Sequence, residues 1–169
     1  MSITIWLALA GCLIAGFYDL RSRRIPNALT GSLAVAAVLV HAFGGLHSFA
    51  ISLFVMAGLT LAGMLVYARG GIGGGDVKLA IAASGMFSYP LFIPFLLYSA
   101  IGGGLLAIFF LVFRGEARAA FSRVALIAAG EARSIYTQRA TLPYALAFAI
   151  GAIAVALSQN VAPFLRILS

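Results

Sequence analysis

Leu79-Ala-Ile-Ala-Ala-Ser-Gly-Met-Phe-Ser-Tyr-Pro-Leu-Phe-Ile-Pro-Phe-Leu-Leu-Tyr-Ser-Ala-Ile-Gly-Gly-Gly-Leu-Leu-Ala-Ile-Phe-Phe-Leu-Val-Phe113 holds no charged side chain. Drawn as one helix at ~1.5 Å per residue, it would measure about 50 Å, well beyond the ~30 Å hydrocarbon core of a bilayer. The run must therefore turn, and Ser88-Tyr89-Pro90 offers the turn chemistry. This divides it into a short span from about Asp76 to Phe87 and a longer one from about Leu91 to Phe113.

Four further apolar runs flank this one: Ile3 to Tyr18, Ala28 to Phe43, Ser48 to Ala68 and Leu142 to Leu157. The expected architecture is an all-α membrane protein, a six-span helical bundle forming a single domain over residues 1–169. Composition agrees, since 63% of the 169 residues are hydrophobic and only 9% are charged. A water-soluble domain carries about 25% charged residues in its polar shell. In lipid only helices and closed barrels satisfy their own backbone, and long unbroken runs select helices.

Positive charge tests the span count. With six crossings, Arg21, Arg23, Arg24, Arg69, Lys78, Arg114, Arg118, Arg123, Arg133 and Arg139 share one side. Of the eleven Lys and Arg, only Arg166 falls on the other. Such a bias marks a cytoplasmic face and places both termini outside. The net charge of +7 is then explained by basic loops against anionic lipid rather than by nucleic acid. Residues 114–139 mix arginines with Glu116, Glu131 and apolar positions, as an amphipathic helix on the lipid surface would; a substrate-docking arm is the functional alternative.

Only two aspartates occur, Asp19 at the end of the first span and Asp76 at the start of the fourth. One complete hairpin separates them, and an even number of crossings returns the chain to the side it left. Both carboxylates are therefore expected at the cytoplasmic boundary. Either aspartate alone reads as solvated or paired locally, Asp19 with Arg23 and Asp76 with Lys78. Their contexts argue for more. Asp76 follows Gly70-Gly71-Ile72-Gly73-Gly74-Gly75, a backbone free to approach another chain closely. Asp19 precedes a basic stretch and Ile25-Pro26-Asn27, where Pro26 and Asn27 read as the start signal of the next helix.

These two stretches resemble the motifs of the prepilin peptidase family of integral-membrane aspartic proteases. Asp19 with Ile25-Pro26-Asn27 matches the first motif, and Gly73, Gly75, Asp76, Val77 and Lys78 match the second. The resemblance implies that Asp19 and Asp76 are catalytic. Gly73, Gly74, Gly75 and Lys78 are then expected to form the loop through which substrate reaches them, and Pro26 and Asn27 to give structural support by holding the turn beside Asp19. The implied substrate is a prepilin or pilin-like single-span precursor, cut on the cytoplasmic side of the bacterial inner membrane before its apolar segment. The chain lacks the paired Cys-x-x-Cys region of larger members, and so is similar to the short Flp-type peptidases of pilus biogenesis and protein secretion.

Hydrolysis without a metal or a nucleophilic side chain needs one carboxylate to activate water and another to donate a proton. Asp76 stands near a helix N-terminus, where the dipole favours negative charge, and Asp19 near a C-terminus. This assigns Asp76 as the resting base and Asp19 as the acid. No cofactor or metal is expected: His41 and His47 flank an outer turn without further ligands and read as solvated. No nucleotide site is expected either, because the glycine run lacks the Gly-Lys-Ser/Thr ending of a P-loop. Leu9-Ala10-Gly11-Cys12 lacks the basic n-region of a lipoprotein signal, so Cys12 reads as a small apolar residue. Two rival readings are a proton-coupled carrier, which would distribute ionisable groups through the membrane depth, and a non-catalytic assembly factor.

Overall fold

The computed structural model describes residues 3–68, 73–113 and 144–168. Among the described residues five helices follow one another: α1 (Ile3–Ser22), α2 (Asn27–Phe43), α3 (Leu46–Ala68), α4 (Gly74–Phe113) and α5 (Tyr144–Leu168). Among the described residues there is no strand. By length and composition, Ile3–Ser22, Leu46–Ala68 and Gly74–Phe110 can each cross a bilayer, while Asn27–Phe43 and Tyr144–Gln159 are shorter apolar helices. The surface segment expected over 114–139, the loop residues 69–72 and the start of the last span at 142–143 lie outside the described residues.

The distribution of size between core and surface is that of a protein solvated by lipid. Its buried cluster is built largely of alanines, among them Ala8, Ala15, Ala37, Ala82, Ala83, Ala149 and Ala152. Phe54, Leu61 and Val112, by contrast, project outward with most of their surface exposed. Without a hydrophobic drive between helices in lipid, association depends on close backbone approach, which small residues permit. At Gly102 a methyl group would meet Ile150 Cγ2 at 2.9 Å, so α4 and α5 touch where the sequence places its glycine triplet.

α4 packs against all four other helices. It is broken where the sequence places a turn: Ser88 (φ 51, ψ −168) and Tyr89 (φ −81, ψ 141) leave helical geometry, ahead of a cis Tyr89-Pro90 bond. The segment before the break is the centre of the bundle, with every residue from Ala82 to Ser88 buried. Beyond it lies an aromatic stack, in which Phe95 sits 4.8 Å from Phe87 and 6.0 Å from Phe148, centroid to centroid.

α1 extends beyond the apolar run, through Asp19 to Ser22. Loss of hydrophobicity does not end a helix; here a change of backbone does. Arg23 takes φ 52 and its N–H still reaches the Asp19 carbonyl at 2.9 Å, a left-handed helix terminus. Pro26 then precedes α2 with φ −60 and ψ 133. A second departure concerns His41, which is buried rather than solvated. Its Nδ1 lies 2.7 Å from Ser48 Oγ and its Nε2 lies 3.2 Å from the Met86 carbonyl oxygen.

Candidate functional site

Chain direction brings the end of α1 and the start of α4 to one end of the bundle. α2 and α3 run out and back between them, and α1 and α4 are in contact. Asp19 and Asp76 consequently lie at the same end, near enough for the charge of Asp19 to act on Asp76.

Asp19 is buried, and its Oδ2 accepts the backbone N–H of Ala145 at 3.1 Å. That N–H belongs to the first turn of α5, where helical donors have no partner of their own. The expected contrast holds for the carrying helices, since Asp19 lies in the last turn of α1, but the Ala145 contact offsets it. Asp76 lies in the first turn of α4, but Asp19 also caps a helix start, that of α5. Both carboxylates face positive dipole ends, and the dipole no longer decides which of them holds the proton. Arg23 adds a positive charge within electrostatic reach of Asp19.

Asp76 is half-buried, and among the described residues no hydrogen bond fixes its carboxyl. The preceding glycines account for its fit. A methyl group at Gly73 would lie 2.9 Å from Asp76 Oδ2, and one at Gly75 would press on Ile25 Cβ at 3.4 Å. The α1–α2 connection and the start of α4 are thus in contact, side chain to backbone, at Ile25 and Gly75. Lys78 does not pair with Asp76: its Nζ donates to Asn27 Oδ1 at 2.9 Å, tying the start of α4 to the start of α2. Between these helices an outward-facing groove of about 310 Å³ is lined by Asn27, Thr30, Gly31, Ala34, Lys78 and Ile81.

Of the residues singled out in the sequence, Asp19, Pro26, Asn27, Gly73, Gly74, Gly75, Asp76 and Lys78 all lie at this one end. Two contributors were missed. The Ala145 N–H escaped notice because it is a backbone group 126 residues from Asp19; Pro143 beside a helix start was the available signal, since the next amides must find partners outside the helix. Thr30, on the groove wall, carries no local signature.

Two carboxyls at one end of a helical membrane protein, within electrostatic reach of each other, are a pair capable of acid–base chemistry. The match to known families is consistent with that class. The chain belongs to the type IV leader peptidase family, whose model matches residues 6–108, more than half of the sequence and inclusive of both aspartates. It is therefore a membrane protein of a protease family that acts on pilin-like precursors. No significant match was found among curated proteins or solved structures.

Proposed function

We propose that the chain is a membrane-embedded aspartic endopeptidase that removes the leader from Flp-type pilin-like precursors, with Asp19 and Asp76 as its catalytic pair. The observation that carries this reading is the placement of the only two aspartates at one end of the bundle, with Asp76 within electrostatic reach of Asp19. Two carboxyls in such proximity do not ionise together easily, so the pair holds one proton between them and titrates as a unit.

The reaction then needs nothing but water. The ionised carboxylate takes a proton from water as its oxygen attacks the scissile carbonyl carbon, while the protonated carboxyl gives its proton to the carbonyl oxygen. The tetrahedral diol collapses when the carboxyl ionised in the first step takes back a hydroxyl proton, the carbonyl reforms, and the C–N bond breaks as the other carboxyl protonates the nitrogen. The pair ends as it began. The Ala145 N–H, held on Asp19 Oδ2, leaves Oδ1 to face the reacting atoms. We assign the resting base and acid to the pair as a whole, since Asp76 stands at the start of α4 and the Asp19 carboxylate reaches the start of α5.

The remaining roles follow from position. Gly73, Gly74 and Gly75 keep side chains away from Asp76 so that an extended peptide can pass. Lys78 and Asn27, bonded to each other, hold the wall of the adjoining groove. Six crossings, with the break at Ser88-Tyr89 separating the fourth from the fifth, place the pair at the cytoplasmic face of the bacterial inner membrane and both termini in the periplasm. The basic bias of the Arg21–Arg24 and Arg114–Arg139 segments supports this orientation. The leader would then lie in the cytosol, and the precursor's apolar span in lipid beside the enzyme.

Co-expression with a Flp-type precursor tests the proposal. Wild-type chain should remove the leader, and Asp19→Asn or Asp76→Asn should each slow removal by on the order of 10²–10⁴, the usual scale of general acid–base contributions. Processing at the wild-type rate by a correctly inserted variant would remove that residue from the mechanism.

A further inference from the structure

The two aspartates are held by different means. Asp19 is pinned by a hydrogen bond to α5, whereas Asp76 has no such tie among the described residues and takes its position from the helix that carries it. That helix, Gly74 to Phe87, is secured near Asp76 by the Lys78–Asn27 bond. What secures its other end is written in the chemistry of proline. In a regular helix the Met86 carbonyl accepts the N–H of residue 90, but Pro90 has none. An orphaned carbonyl inside a lipid-solvated bundle costs free energy unless another donor reaches it.

His41 reaches it. Its Nε2 lies 3.2 Å from the Met86 oxygen, and because a carbonyl can only accept, Nε2 carries the hydrogen. Ser48 Oγ, 2.7 Å from Nδ1, then donates to the other ring nitrogen and fixes the tautomer. One residue earlier, buried Ser52 donates its hydroxyl to the Gly85 carbonyl at 2.9 Å. The α2–α3 hairpin thus supplies two donors to adjacent carbonyls at the break of α4. We propose that His41, supported by Ser52, is a positioning residue for Asp76: it locks the far end of the Asp76 helix, so that the carboxylate stays in register with Asp19. This rests on the peptidase reading above, and concerns the placement of one half of the pair.

The test uses full-length chain in lipid vesicles with a Flp-type precursor, comparing wild type, His41→Gln, His41→Leu and Ser52→Ala. A glutamine amide can donate where Nε2 does; leucine cannot. The expected result is a fall of about tenfold or more in kcat for His41→Leu at nearly unchanged KM, with most of the loss recovered in His41→Gln, since helix register affects the chemical step and not the docking of substrate. If the glutamine and leucine variants lose activity equally, and in proportion to their folded fraction, His41 is merely structural and the proposal fails. It also fails if His41→Leu keeps the wild-type kcat. Should His41→Leu not insert, Ser52→Ala removes the neighbouring tie and is read in the same way.

A second readout does not depend on catalysis. Spin labels at Leu20 and Ile81, in a Cys12→Ala background, report the separation of α1 from α4 beside the aspartates. The distance distribution should broaden or shift in His41→Leu and return in His41→Gln; an unchanged distribution overturns the inference. If wild-type chain cuts no precursor while the distances respond as expected, it is the peptidase reading that fails and the positioning that stands.

Discussion

A methyl group at Gly73 would lie 2.9 Å from Asp76 Oδ2, tighter than carbon and oxygen tolerate. Since that carboxyl has no hydrogen bond among the described residues to resist displacement, Gly73→Ala should move it rather than unfold the chain. Leader removal should fall at least about tenfold while helical content and thermal midpoint stay close to wild type; a drop in activity that merely follows a drop in midpoint would point to packing instead. Cys12 makes a contrasting case at the same scale. It is fully buried on α1, and a thiol without access to reagent is inert. N-ethylmaleimide should leave it unmodified in the folded protein and label it after denaturation. That Asp19 and Asp76 lie at one end was legible from sequence because they are the only aspartates and two helices, α2 and α3, run out and back between them. The Asp19–Ala145 contact was not legible, since no local pattern announces a partner 126 residues away.

At the scale of elements, α4 is the piece on which the others converge. The position of its break was legible, because Pro90 lacks the N–H a continuous helix requires. How the freed carbonyls are satisfied was not, since the donors, His41 and Ser52, come from a different hairpin and look like isolated polar residues in apolar runs. Element ends were the least legible feature: α1 runs on through Asp19 and Arg21 to a left-handed Arg23, because charged residues at a membrane boundary keep a helix as readily as apolar ones. Beyond the break, the Phe87–Phe95–Phe148 stack joins the two segments of α4 to α5. Phe95→Ala would cost about 3–5 kcal/mol in a soluble core. Here the cost should fall below that range, because a helix unpacked in lipid stays in an apolar medium and only contact and cavity terms are lost. Reversible unfolding in mixed micelles measures it; a loss above that range would mean that the stack does more than fill space.

For the whole molecule, the class of fold was legible from composition, and the inside-out distribution of size, alanine within and phenylalanine and leucine without, is how that composition folds. The proposed orientation rests on the basic segments. If six crossings are made, a cysteine at Ser22 should react with an impermeant maleimide only from the cytoplasmic side, and one at Gly45, in the α2–α3 turn, only from the periplasmic side. The reverse pattern would put the aspartates on the wrong face for a cytosolic leader.

The account depends most on Asp19 and Asp76 forming one proton-sharing unit. Infrared spectroscopy of the protonated carboxyl stretch, followed against pH in lipid-reconstituted wild type, Asp19→Asn and Asp76→Asn chains, addresses that directly. Each substitution should shift the titration of the aspartate that remains, because its partner's charge has been removed. If Asp76 titrates at the same pH with and without the Asp19 carboxyl, the two act independently and the catalytic pair does not exist.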